Sequence, residues 1–351
     1  MTLENSNIRV IIDKGTGCIT SLFDKHSSFE AIAPNSCGNQ LVAFADNPKD
    51  YDAWNIDADF ESHPTPLSEV DSVQLVENTP FRSVIRVTRH WQKSRFTQDL
   101  ILYSGADQVD IDNEIDWHET HVLLKAAFPL NVRSDHATYE IPYGTIERPT
   151  TRNNSFEKAK FEVPALRWAD LSDAQHGVTL INESKYGYDA KDNVLRLSLL
   201  RSPTWPDPDA DRGLHRFSYA VYPHGGDWKQ ALSIRHGYEY NYGLSAQQVE
   251  SHAGVMPARA SLLQVSGDDV VVTAVKKAED SPAIVIRMFE WAGTDSDIHL
   301  QTSLLSPARA KSLDLMEKEA ESEAVPVTPD VSFHIRPFEI KTISLETDKA
   351  R

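Results

Sequence analysis

The chain has 351 residues, with 35 Lys and Arg against 52 Asp and Glu, a formal charge of −17, and 9% aromatic residues. That balance argues against nucleic acid or an anionic membrane as a partner, because both select a basic face. No apolar run approaches the roughly 18 residues of a membrane helix, and the length allows one large domain plus a smaller one.

The start, MTLENSNIRVII, lacks the basic segment and apolar run of a signal peptide. A cytoplasmic protein is therefore expected, with Cys18 and Cys37 as reduced thiols, two being too few for a disulfide framework. On that route the sequons at Asn153 and Asn182 carry no meaning.

Strands dominate the N-terminal third. Ile8–Ile12, a turn through Gly15 and Gly17, and Ile19–Phe23 read as a hairpin with offset register. Gln40–Phe44 follows, and then a polar loop from Asp46 to Pro66, a length more usual for functional loops than for connectors. Further strands are expected over Ser83–Thr88, Phe96–Tyr103 and Val109–Ile115, where Val109, Ile111 and Ile115 share a face.

Arg196–Trp228 reads as strand, stiff loop, strand. Pro203, Pro206 and Pro208 fix the loop, which also carries Trp205, Asp207, Asp209, Asp211 and Arg212. Asp227 and Gln230 have capping-box spacing and predict a helix around Trp228, ahead of Leu232 and Ile234. From about Ser251 the strands shorten, which places a domain boundary near Leu244–Val255. Lys311–Glu323 has helical propensity among strand neighbours. Strands at this spacing, with few helices, read as all-β sandwiches.

Several chemistries fail on spacing. His118 and His121 lack the His-Glu-x-x-His pattern, and strand-like flanks would point them apart. Asp207–Gly213 begins like a calcium loop, but its sixth position is Arg212 and its twelfth Ser218. No nucleophile elbow or phosphate loop occurs. With 52 acidic residues, sequence alone nominates no glycosidase carboxylate pair. Glu119 beside His118 or His121 is the tightest acid–base cluster available to an epimerase. Tyr139, Tyr143, Trp168, Tyr186 and Tyr188 read as core or sheet aromatics before sugar platforms.

Longer motifs carry a resemblance. Tyr139–Thr150, Lys185–Asp189, Leu199–Thr204, Pro208–Gly213, Tyr222–His224, Lys276–Asp280 and Arg336–Thr342 resemble, in order, the C-terminal part of family 38 α-mannosidases, especially their bacterial and cytosolic/vacuolar branch. The resemblance implies an all-β chain: a galactose-mutarotase-like supersandwich over residues 1–245, then a small β-sandwich over 246–351. It implies retaining hydrolysis of terminal α-mannosides by the whole enzyme, with zinc or another divalent metal and the aspartate nucleophile in an N-terminal catalytic domain this chain lacks. No catalytic or metal-binding residue is expected here.

The partners implied are those catalytic and helical domains and a mannose-containing oligosaccharide; association of like chains stays open. Two segments match pocket-rim positions: Asp52 and Trp54 in one loop, Asp211 and Arg212 in another. An aromatic edge stacks on sugar and a guanidinium donates to hydroxyls. Trp54 stands where some members carry Tyr. The expectation is a non-catalytic lobe, with a free-standing carbohydrate-binding module as the alternative.

Overall fold

The structure is a computed structural model that describes residues 1–302, 307–319, 325–326 and 330–347. Two compact units form: Met1–Ile141 with Ile146–Leu244, and Pro142–Thr145 with Ser245–Arg351.

In the first unit the strand period sets the layers. Along Val109–Trp117 every second side chain, from Val109 through Ile111 and Ile115 to Trp117, is buried, and acidic residues face outward between them. That is a strand with one wet face. It pairs antiparallel with Ser94–Tyr103 and Gly213–Gly225 within a nine-stranded sheet. A six-stranded sheet has Val122–Pro129 between Val194–Leu200 and Gln40–Ala45, and a four-stranded sheet carries the N-terminal hairpin. One apolar core joins all three, through residues such as Leu22, Ile111, Leu124, Phe128 and Val221. Each such side chain contributes about 1.5–3 kcal/mol by leaving water.

The second unit is a small β-sandwich. Its three- and five-stranded sheets share Ile286, Met288, Ile298, Leu300, Ile335 and Ile343. The all-β class expected from strand spacing is the class observed.

The register of the six-stranded sheet decides where the loops gather. Ala45 lies opposite Val122, and Leu124 opposite Leu200, in antiparallel pairs. The chain therefore leaves Ala45, enters Val122 and leaves Leu200 at one end of the sheet. Segments 46–57, 118–121 and 201–212 are brought together there, although they are far apart in sequence.

Three expectations need correction, and one reading left open between helix and strand is decided. Cys18 and Cys37 form a disulfide, because the bridge between Ile19 and Gly38 brings their Cα atoms to 5.0 Å. The capping-box contacts of Asp227 form, with its carboxylate accepting from the Lys229 and Gln230 amides. The helix nevertheless starts later, at Ser233–Asn241, because Leu232 is left-handed at φ 54° and interrupts the turn. In Lys311–Glu323, residues up to Leu313 are strand, paired with Ile340–Thr347, since a sheet partner overrides propensity; positions 320–323 lie outside the described residues. Finally, the Asp46–Pro66 loop is partly ordered into a 3-10 turn, Ala58–Ser62, and an edge strand, Pro64–Pro66.

Candidate functional site

At that end of the sheet the two long loops read each other's backbone. Arg201 follows directly on the Val194–Leu200 strand. Its Nε donates to Asp46 Oδ2 at 2.5 Å, its Nη1 to the Ala53 carbonyl at 3.0 Å, and its Nη2 to the Asn55 carbonyl. The guanidinium thus grips the carbonyls on both sides of Trp54. In return Asp52 Oδ2 accepts from the amides of Thr204, at 2.8 Å, and Trp205, at 3.1 Å.

His121 enters from the third segment. Its Nε2 lies 3.1 Å from both Asp52 Oδ2 and Thr204 Oγ1. Burial works against the Asp52 charge, yet the Thr204 amide, His121 and the Trp205 amide together hold its carboxyl below the ordinary aspartate range. Its other oxygen, Oδ1, is buried without a partner among the described residues.

Each loop is also closed on itself. The Trp54 and Asn55 amides both donate to the Tyr51 carbonyl, in a turn where Tyr51 has φ 60°. Asp211 Oδ2 accepts from the amides of Ser202, at 2.9 Å, and Arg201, at 3.2 Å. Tyr51, His121, Ser202 and Asp211 are all non-glycine residues at positive φ. Such conformations persist only where surrounding contacts impose them. The far end of the first loop is held through Glu61, which takes Arg196 from the sheet and has Lys191 at 3.2 Å.

What this scaffold displays is aromatic. Trp54 is 67% exposed and Trp205 59% exposed, and their rings meet edge to face with centroids 5.3 Å apart. Tyr51, in the same loop as Trp54, is exposed as well. Arg212 is half-exposed and ion-paired with Asp209 at 3.0 Å.

The four residues singled out from sequence therefore differ in kind. Trp54 and Arg212 present side chains to solvent, whereas Asp52 and Asp211 each bind main-chain amides of the 201–212 loop. Arg201 and Thr204 enter the sequence reading only within the Leu199–Thr204 motif and Trp205 only as part of the stiff loop, whereas His121, weighed there for metal and acid–base chemistry, is turned to Asp52 instead. Besides the Asp46 carboxylate, the groups Arg201 reaches are carbonyls, which leave no mark in side-chain spacing.

Other clusters are spent structurally. Glu119 is buried and accepts from the Lys93 amide and Ser94 hydroxyl, while His121 is turned to Asp52, so no acid–base pair of the epimerase kind forms there. His118 pairs with Asp116. Among the described residues no group of three or more His, Cys, Asp or Glu is placed to hold a metal ion. Ser233, Thr179 and His224 all bond to Asp170 Oδ2 in the core, so the serine addresses the aspartate and not the histidine. That order cannot activate a nucleophile. Tyr139, Trp168 and Tyr188 are core; Tyr143 and Tyr186 are exposed. A cavity of about 600 Å³ near Leu130, Arg133, Asp135 and Asn193 gathers no convergent chemistry.

Comparison with known proteins gives this geometry a setting. The model of the glycosyl hydrolases family 38 C-terminal domain matches residues 3–209, and that of the family 38 C-terminal beta sandwich domain matches residues 269–343. Human alpha-mannosidase 2C1 is 40% identical over 91% of this chain and 31% of its own length. Alpha-mannosidase G of Dictyostelium discoideum is 34% identical over 97% of the chain and 32% of its own. The chain thus spans about a third of the length of the curated relatives it matches. An alpha-mannosidase structure from Enterococcus faecalis V583 superposes with a TM-score of 0.80 at 17% identity, over 98% of this chain and 42% of that one, and so shares its fold.

Proposed function

The chain belongs to glycoside hydrolase family 38, and from that membership we propose that it serves as the C-terminal β region of an α-mannosidase. In this reading the whole enzyme cleaves terminal α-mannosides with retention, and the chain alone is inactive. Catalytic carboxylate and zinc, or another divalent metal, come from the catalytic domain. No residue cluster among the described residues fits a metal, and no step is assigned to one in this chain. The observation that carries the proposal is the order and extent of the family matches, which span both units.

The role we assign to the loop pair is the rim of the mannoside pocket. An exposed indole corner suits the apolar face of a pyranose, and the half-exposed Arg212 can donate to hydroxyls. Asp52 and Asp211 support that rim by holding its backbone. A free-standing carbohydrate-binding module finds no backing in the relatives, which are named as mannosidases and are about three times as long. A cytoplasmic location remains part of the proposal, and the Cys18–Cys37 disulfide is the observation that weighs against it.

The test is turnover of an aryl α-mannoside by this chain with zinc added. Release no faster than the buffer blank is expected. Release that rises in proportion to chain concentration would show a catalytic centre in these residues.

A further inference from the structure

We propose that Arg201 is the positioning residue that turns two separate loops into one aromatic corner, so that Trp54 and Trp205 face a sugar as a single surface. The inference deepens the rim role just proposed and rests on it for the identity of the ligand, but not for the geometry.

Three observations carry it. Arg201 has carbonyl partners at Ala53 and Asn55, the residues on either side of Trp54, and anchors its Nε on the buried carboxylate of Asp46. Its own amide and that of Ser202 are held by Asp211, which fixes the point where the second loop leaves the sheet. The reciprocal contact of Asp52 with the Thr204 and Trp205 amides then places Trp205 beside Trp54. A guanidinium suits this task because its planar fork reaches a carboxylate and two carbonyls at once. An ammonium group is a point charge that can keep Asp46 but cannot span both carbonyls.

Arg201 touches no displayed face of either indole in these contacts, so its effect on a ligand runs through the rings. A merely structural arginine at this place would, when lost, loosen the apolar core that the six-stranded sheet shares with the nine-stranded one, and would disturb buried Trp117 there as well. A positioning arginine would disturb the corner alone.

The experiment is fluorine NMR of the chain labelled with 5-fluorotryptophan. The seven tryptophans give seven resonances, and W54F and W205F assign the two of the corner. In R201K both corner resonances should move together toward solvent-exposed values while those of Trp117 and Trp168 stay in place. In R201A, methylguanidinium at concentrations far below denaturing should restore the corner resonances, and methylammonium should not. Unmoved corner resonances in R201K, or displacement of all seven, overturns the proposal. The ligand is tested separately, in a family 38 α-mannosidase that carries this chain as its C-terminal region: corner resonances that respond to R201K there but not to millimolar methyl α-mannoside would uphold Arg201 as the positioning residue and refute the mannoside rim.

Discussion

Asp52 and Thr204 stand 152 residues apart in the chain, and the Asp52 carboxylate accepts the Thr204 amide hydrogen at 2.8 Å. The contact exists because the six-stranded sheet delivers both loops to one end, and it ties the segment that carries Trp54 to the one that carries Trp205.

Replacing Asp52 by Asn should uncouple the loops. Two amide donors lose a charged acceptor, at a cost of about 1–3 kcal/mol in local opening. Hydrogen exchange should show Thr204 and Trp205 losing protection while the Val194–Leu200 strand keeps it.

The same contact has a pH signature. The Asp52 carboxyl is held below its ordinary range in the folded chain. A depressed carboxyl contributes stability above its unfolded pKa of about 3.9 and loses it as pH falls through the folded value. Protection factors at Thr204 and Trp205 should decline in acid below about pH 4.

Asp110 behaves in the opposite sense. Burial pushes its carboxyl up to about 6, with nearby Asp112 adding to the rise and Gln108 opposing it. Its relative contribution is therefore full below the unfolded pKa and is lost as pH rises through about 6. Asp110→Asn should stabilise the chain by about 1–3 kcal/mol at pH 7 and lose that gain at pH 4 in urea titrations.

Beneath the first loop, fully buried Lys125 reaches Asp189 at 2.5 Å and also bonds Glu162. Removing the cation takes the charge partner from Glu162 and leaves Asp189 with Arg196 at 2.7 Å, so Lys125→Met should cost about 3 kcal/mol. Chemical denaturation measures it, and a change near zero would show that water already reaches the pair.

The sequence made the layers legible and the site only half so. Alternation along Val109–Ile115 announced its inner face, and the proline-fixed loop around Trp205 announced a stiff display segment. Arg201 stayed hidden because its partners beyond Asp46 are the carbonyls of Ala53 and Asn55, which any residue could supply. The disulfide stayed hidden because its pairing depends on the bridge between Ile19 and Gly38 and not on cysteine number. At Leu232 a correct capping signal met a left-handed residue, and the helix began beyond it.

Whether this chain can complete an α-mannosidase is read from a chimaera. This chain would replace the matching C-terminal region of human alpha-mannosidase 2C1, to which it is 40% identical over 325 residues. A folded chimaera that hydrolyses an aryl α-mannoside is expected, with Trp54→Ala raising KM more than it lowers kcat. A folded chimaera without activity, or one in which Trp54→Ala leaves kcat/KM unchanged, would contradict it.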